Sequence, residues 1–477
     1  QDAVYRNGIE PACDRYNEEY KTCFRPKGDI ESWKDFSRPI SSMKTLEQLS
    51  QEINKCVLCG TCRSVCPTFA VVKREPASAR GKVALCDAYL NKEIGISKGF
   101  IKHMDECVQC MACKTACPNN VNAPDIILAA RAEIANKHGL PFVKSFILKN
   151  ILDSDKLMPK ALKLASKLQG FLLKGIPADS GLHRRFPLPL IDERRLVPPL
   201  AERFFMDVVA DSSAFSTAPA ERPTKGRSGQ NTRPRVGFFA GCLINYMLPN
   251  IGDASLKLLE KAGASVIVPL NQRCCGMPAL GMGDVETAKS LALKNLEAFE
   301  QYELDYITTA CATCGDGLKR RFKELLGDEY RKRVNAFSEK VRDITELLVN
   351  ELQITNCKLQ IANLKSIVTY HDPCHLRRGQ NIADEPRKLI EMSGAKLKEM
   401  SHPCRCCGLG GGFNITDYDF SMEINRKKAE DIKNTGAQII ATACPGCMIQ
   451  IKDGLHQLSA NTKVVHVIEL LSDNINI

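Results

Sequence analysis

Two phrases constrain this chain more than any other feature: KCVLCGTCRSVCP at 55–67 and ECVQCMACKTACP at 106–118. Each places four cysteines within eleven residues and closes on a proline. A disulfide framework is one source of dense cysteines, but it belongs to short secreted chains that cannot build a sizeable core. At 477 residues this chain has room for two or three domains with cores of their own. Its start carries no apolar signal-peptide stretch. Thiolates held as metal ligands in a reducing compartment fit the pattern, and a cytoplasmic location is expected.

Cys56-x2-Cys59-x2-Cys62-x3-Cys66-Pro67, repeated as Cys107-x2-Cys110-x2-Cys113-x3-Cys117-Pro118, resembles the run of the bacterial two-cluster ferredoxins. There, three closely spaced thiolates wrap one corner of a [4Fe–4S] cube and the fourth ligates the other cluster. The resemblance implies crossed ligand sets: Cys56, Cys59, Cys62 and Cys117 for one cubane, and Cys107, Cys110, Cys113 and Cys66 for the second. Each proline turns the chain away and offers no competing N–H. Zinc shares the CxxC spacing, but four cysteines written twice without an interleaved histidine argue for iron and sulfide. With every ligand position filled by protein, the module is expected to transfer electrons rather than to transform a substrate.

A second repeat lies downstream. Cys242 is followed after 31 residues by Cys274-Cys275-Gly276, and after 35 more by Cys311-x2-Cys314. Cys374 is followed after 31 residues by Cys406-Cys407-Gly408, and after 36 more by Cys444-x2-Cys447. Offsets of 132, 132 and 133 residues point to two tandem units of one design. Apolar runs of strand length precede each cysteine group: RVGFFAG and SIVTYHD, SVIVPL and the weaker KLKEM, LDYITTA and AQIIATA. Helical periodicity fills the gaps, as in 252–264 and 284–300. This alternation predicts parallel α/β units, whose ligands collect at the carboxyl ends of the strands. The five cysteines of each unit are therefore expected to converge, with Gly276 and Gly408 leaving room for the backbone. Five thiolates are one more than a cubane needs, which points to an unusual cluster.

These two units resemble the CCG cysteine-rich domains of the heterodisulfide reductase catalytic subunits and of the glycolate, lactate and anaerobic glycerol-3-phosphate dehydrogenase iron–sulfur subunits. The resemblance runs over about 50–475. It implies a mainly helical ferredoxin-type module (46–140), a helical connector and linker (141–234), and two tandem parallel α/β CCG domains (235–350 and 351–477), with an N-terminal extension (1–45) lying outside the resemblance. It also implies one or two non-cubane [4Fe–4S] clusters, held by Cys242, Cys274, Cys275, Cys311 and Cys314 and by Cys374, Cys406, Cys407, Cys444 and Cys447. In the heterodisulfide reductases such clusters cleave a disulfide, which makes the second set a candidate catalytic site. The phrases YHDPCHLRRGQ (370–380), CCGLGGGFN (406–414) and ATACPGCMIQIKDGL (441–455) are more similar to the glycolate/lactate dehydrogenase subunits. The leading expectation is thus an electron relay from a partner flavoprotein that oxidises a 2-hydroxyacid. Disulfide reduction is the alternative.

No G-x-G-x-x-G follows a strand, so FAD is expected on a partner chain, a dehydrogenase subunit or an electron-transfer flavoprotein. A membrane cytochrome or quinone-reducing subunit is the expected downstream neighbour. His371, Asp372 and His375 flank Cys374 and are candidates for proton supply, or for bonding to cluster ligands and capping the next helix. Five cysteines remain: Cys86 and Cys357 read as small packed hydrophobes, Cys404 as a further ligand candidate, and Cys13 and Cys23 as part of the N-terminal extension.

The connector segment 156–175 has Leu and Ala at helical spacing and lysines on the remaining face. Such a helix can lie on an anionic membrane surface, dock on a partner or cover the core. The segment 184–200 reads as a proline-stiffened tether and 211–234 as a linker. No stretch reads as a membrane span; the uncharged run 236–252 is too short and is broken by Gly, Asn and Pro. A net charge of +11 without aromatic–basic interleaving argues against nucleic acid.

Overall fold

The computed structural model describes residues 43–154, 157–175, 182–184, 192–212, 233–354 and 364–472. The chain is mostly helical, with two four-stranded parallel sheets and a small antiparallel hairpin of β1 (Leu173–Gly175) and β2 (Leu182–Arg184).

The N-terminal module is built on two helices, Ala79–Leu90 and Ala123–His138. The first starts where Ser78 accepts a hydrogen bond from the Gly81 amide at 3.0 Å. The second has Pro124 in its opening turn and Gly139 just past its end, as helix punctuation requires. Val83, Phe100, Met104, Ile126 and Ile127 pack between them, each removed from water. Both cysteine loops bend the same way: Leu58 and Gly60 have φ of 53° and 87°, and Gln109 and Met111, 51 residues on, have 54° and 59°. Left-handed backbone at a non-glycine residue costs about 1–2 kcal/mol, so three of these four residues are strained in matched positions.

The two downstream units share one topology. In the first, β3 (Arg235–Phe238), β4 (Ser265–Ile267), β5 (Tyr306–Thr309) and β6 (Val341–Asp343) lie in the order β4-β3-β5-β6. In the second, β7 (Ile367–His371), β8 (Lys396–Leu397), β9 (Ile439–Thr442) and β10 (Lys463–His466) lie in the order β8-β7-β9-β10. All pairings are parallel, with Val236 opposite Tyr306 and Val368 opposite Ile439. The helices Pro249–Lys261, Val285–Glu300, Asp384–Met392 and Tyr418–Thr435 bridge successive strands. Six strands answer the apolar runs seen in the sequence, with β8 cut to two residues. The fourth strand of each unit was not among the strands expected from the sequence.

One apolar core runs through both units, joining Phe238, Ile244 and Leu259 of the first to Tyr370, Ile390, Ile439 and Ile451 of the second. A smaller cluster joins Val108 and Cys110 of the N-terminal module to Cys406, Phe413 and Ile424 of the second unit. Arg131, 6% exposed, clasps the module to the first unit. Its guanidinium donates to the carbonyls of Met104, Asp105 and Cys107 at 2.6–3.0 Å, and to the Gly281 carbonyl at 2.8 Å.

The connector helix Leu157–Leu172 half-buries a mixed side of Met158, Leu162, Ser166 and Gln169, where Gln169 bonds the Leu200 backbone, while Lys160, Lys163 and Lys167 stay exposed. Leu157, Leu164, Leu168 and Phe171 face solvent. The helix therefore does not cover the core with its apolar stripe. Among the described residues no helix is long and apolar enough to cross a membrane. Most of the expected linker, 213–232, lies outside the described residues.

Candidate metal centres

Five of the eight ferredoxin-type cysteines line one cavity of the N-terminal module. Cys56, Cys59 and Cys62 line it together with Cys113, Cys117, Pro118 and Arg80. Cys117 of the second run thus reaches the site of the first. Its sulfur accepts from the Val121 amide at 3.4 Å. Burial pushes the Cys113 thiol well above its ordinary range, and Cys107, Cys110, Cys66 and Cys62 push the same way. Cys66 of the first run is thereby a neighbour of the second. Cys59 is open to solvent and is drawn down by the Thr61 hydroxyl.

In each downstream unit the cysteine loops follow the carboxyl ends of three adjacent strands. Cys242 follows β3, Cys274 and Cys275 follow β4, and Cys311 and Cys314 follow β5. Cys374, Cys406, Cys407, Cys444 and Cys447 hold the matching places after β7, β8 and β9. Parallel strands all end on one side of their sheet, so residues 70 apart in sequence arrive together. In the first unit Cys274 contacts both Cys242 and Cys275, and Cys275 contacts Cys314, which touches Cys311. In the second, Cys374 and Cys407 both contact Cys406, Cys407 lies 3.5 Å from Cys447, and Cys447 touches Cys444.

The second member of each Cys-Cys pair is held low electrostatically, and so is Cys444, by Cys311 and then Cys447. Hydrogen bonds from Cys274, then Cys314, draw the Cys275 thiol down to about 5. Hydrogen bonds from Cys406, then Cys447, draw Cys407 well below its ordinary range. The glycine after each pair is required by geometry. Gly408 has φ +92°, and a Cβ there would lie 2.6 Å from the Ser421 carbonyl. Gly276 has φ +77°, with the Ala288 carbonyl 3.1 Å from the same point.

The separate groups are in contact. Cys311 of the first unit touches Cys444 of the second, and Thr313 lies 3.7 Å from the Cys444 sulfur. Cys110 of the N-terminal module touches Cys406. A line of thiols therefore runs from Cys110 through Cys406, Cys407, Cys447, Cys444, Cys311, Cys314, Cys275 and Cys274 to Cys242. Beside its start lies Arg378, whose guanidinium donates to the Cys110 carbonyl at 3.2 Å and the Cys404 carbonyl at 2.8 Å.

Polar groups lock the junction of the two units. The Asp316 carboxylate, wholly buried, accepts from Arg320 at 2.9 and 3.0 Å and faces His375 Nδ1 of the other unit at 2.8 Å. Burial alone raises its pKa, but the Arg320 charge and the His375 contact outweigh it and hold the carboxyl well below the usual range. Asp372 accepts from Arg377 and Arg387 at 2.8–3.1 Å, so two guanidiniums occupy it. His371 is buried with both ring nitrogens lacking a hydrogen-bond partner, and burial pushes it down to about 3. Its ring nitrogen and the sulfurs of Cys407 and Cys447 all lie within 4.8 Å of one another.

Of the five other cysteines, Cys86 is packed as expected: wholly buried, pushed up to about 12 by that burial, its sulfur 3.9 Å from that of Met104. Cys404 is half-buried, two residues before the pair. Cys13, Cys23 and Cys357 lie outside the described residues. Arg131, Asp316 and Arg378 are the site residues that sequence reading missed. Arg378 stood inside the quoted phrase 370–380, whereas nothing in the local pattern marks Arg131 or Asp316.

This donor set fits iron–sulfur chemistry. All twenty described cysteines are free thiols, and eighteen of them form the four groups above. Backbone amides reach sulfurs where thiolate charge needs them, as Val121 to Cys117 and Gly408 to Cys406 at 3.4 Å. Comparison with known families agrees. A 4Fe-4S dicluster domain matches residues 52–121, and a cysteine-rich domain, CCG, matches residues 236–319 and 368–452.

Among known proteins the chain is similar to the "Probable glycolate oxidase iron-sulfur subunit" of Bacillus subtilis, with 32% identity covering 88% of this chain and 93% of the relative. It is similar to "Lactate utilization protein A" of Exiguobacterium, with 31% identity covering 51% of this chain and 98% of the relative. It is also similar to a subunit of the dihydromethanophenazine:CoB–CoM heterodisulfide reductase of Methanosarcina acetivorans, with 26% identity covering 88% of this chain and 93% of the relative.

Proposed function

The chain belongs to the family of iron–sulfur oxidoreductase subunits that join a 4Fe-4S dicluster domain to two CCG domains, and from that premise we propose that it relays electrons from a flavoprotein 2-hydroxyacid dehydrogenase to a downstream acceptor. The observation that carries this reading is the unbroken line of thiols from Cys110 to Cys242, bringing the two downstream units into contact with the N-terminal module. The clusters supply one-electron steps, which a flavin partner needs in order to discharge a hydride pair.

The proteinaceous parts have distinct tasks. Cys56, Cys59, Cys62 and Cys117 hold one cubane, and Cys107, Cys110, Cys113 and Cys66 the second. Cys242, Cys274, Cys275, Cys311 and Cys314, with their counterparts Cys374, Cys406, Cys407, Cys444 and Cys447, hold the CCG centres, of non-cubane type. Cys59 is the most exposed of the ferredoxin thiols, which makes the first cubane the point of exchange with a partner. Arg378 places positive charge where the module meets the second unit. FAD resides on the partner dehydrogenase. The outward apolar stripe Leu164, Leu168 and Phe171 suits contact with a membrane-side cytochrome or quinone-reducing subunit.

One observation favours disulfide reduction as a second reading. Both five-cysteine sets are complete, and they meet at Cys311 and Cys444 instead of standing apart. A site shared by two centres suits successive one-electron attack on a sulfur–sulfur bond.

The test is anaerobic purification from the native source with its partner chains. Under the relay reading, lactate or glycolate bleaches the iron–sulfur absorbance only when the flavoprotein is present. If neither acid bleaches it, and a thiol–disulfide couple does so without the flavoprotein, the second reading replaces the first.

A further inference from the structure

His371 is the last residue of β7, is 1% exposed, and keeps both imidazole nitrogens without a hydrogen-bond partner. A buried polar group left unpaired costs stability, and this ring carries two. The fold does not demand the imidazole. Applying the 132-residue offset of the repeat, the matching position in the first unit is Phe239, wholly buried and packed beside Cys274, Cys275 and Cys311. A ring of similar size without nitrogen therefore satisfies the same strand end. In the second unit the nitrogen is aimed where it has a use: one ring nitrogen and the sulfurs of Cys407 and Cys447 lie mutually within 4.8 Å, the one such set of three among the described residues. Tetrahedral metal sites are built from sulfur and nitrogen donors at this kind of spacing.

We propose that His371 is a nitrogen ligand to iron in the second CCG centre, beside Cys407 and Cys447, and that Phe239 denies the first centre such a ligand. The two centres of the repeat are then chemically different. The imidazole binds as the neutral form, so ligation releases no proton and changes no oxidation state. The other ring nitrogen stays free to donate to a sulfur of the same centre. The inference rests on the reading that these cysteines hold iron.

The test uses the full chain purified anaerobically, 57Fe-enriched and 15N-labelled at histidine. Mössbauer spectra, which need no paramagnetic state, are recorded for the wild type and for His371→Phe, the residue the first unit already carries. The expected result is one iron subsite in the wild type that disappears or shifts in the variant while the signals of the other centres stay unchanged. In whichever oxidation state is paramagnetic, pulsed electron resonance of the wild type shows a directly bonded nitrogen that changes pattern on 15N labelling. Identical Mössbauer spectra for the two proteins, or only a weak through-space nitrogen coupling, overturn the ligand assignment. Iron and sulfide analysis separates this failure from a deeper one: a wild type without iron removes the relay reading itself. His371→Gln serves as a second variant, and retention of wild-type iron content by either one shows that the fold has survived.

Discussion

Replacing Asp316 by asparagine tests the junction of the two CCG units. The carboxylate is fully buried and takes two bonds from Arg320, at 2.9 and 3.0 Å, and one contact with His375 at 2.8 Å across the junction. An amide keeps the shape but presents one acceptor where two are used, and it turns an N–H₂ toward a cation. Removing one partner of a buried ion pair costs about 3–5 kcal/mol, because the other charge stays behind. For domains of this size each kcal/mol moves the unfolding midpoint by about 2–4 °C, so a fall on the order of 10 °C is expected. Anaerobic scanning calorimetry of the cluster-loaded protein measures it. His375→Gln alone and the double variant complete a cycle, whose coupling should be about 0.5–3 kcal/mol for residues in contact. A midpoint within about 2 °C of wild type for Asp316→Asn, or strictly additive effects, refutes the claim that this network holds the units together.

Asp343 is wholly buried with one carboxylate oxygen unpartnered, and burial raises its pKa to about 7. Its folded value exceeds the unfolded one, so its contribution is present below about pH 4 and is lost as pH rises through 7. Asp343→Asn keeps an acceptor for Thr345 and should match wild type near pH 4 but exceed it by on the order of 3–4 kcal/mol at pH 8; denaturant titration at both pH values checks this. Gly408→Ala combines a left-handed φ of +92° with a 2.6 Å approach to the Ser421 carbonyl. It should cost about 3 kcal/mol and lower the iron content at the second CCG unit alone, read by iron analysis and Mössbauer spectra. Cys66→Ser should remove the cubane of Cys107, Cys110 and Cys113 and spare that of Cys56, Cys59 and Cys62; electron resonance showing the opposite loss refutes the crossed scheme. Arg378→Met removes a half-buried cation beside Cys110 and Cys404, so the nearest centre should fall in potential by on the order of 60 mV, about 1.4 kcal/mol, in a redox titration.

What the sequence made legible was whatever repeats or alternates locally. The 51-residue echo between the two ferredoxin-type runs and the 132-residue echo between the CCG units survive as matched backbone bends and matched strand orders. The fourth strands escaped notice for physical reasons. Val341–Asp343 is three residues long and follows the helix Arg331–Lys340 without a turn signal, and Lys463–His466 pairs only with β9. The contacts that make one site out of four groups were beyond local reading. Cys311 meets Cys444, its own counterpart one repeat on, and Cys110 meets Cys406 across 296 residues; a repeat period marks two positions as equivalent but does not say that they touch. The amphipathic pattern of 157–172 was visible, but which side faces the protein depends on acceptors such as the Leu200 carbonyl, far along the chain.

Every acceptor that Arg131 grips belongs to the main chain: the carbonyls of Met104, Asp105, Cys107 and Gly281. A carbonyl is common to all twenty amino acids, so replacing the side chain at 105 or 281 leaves the handle in place, whereas Met104 is held besides by its packing in the module's core. The joint therefore rests on Arg131 itself and on Gly283, whose left-handed φ of +87° and 2.5 Å approach to the Arg131 carbonyl leave no room for a Cβ. Changes to the surfaces on either side that spare these two residues leave the spacing between the N-terminal module and the first CCG unit as it is.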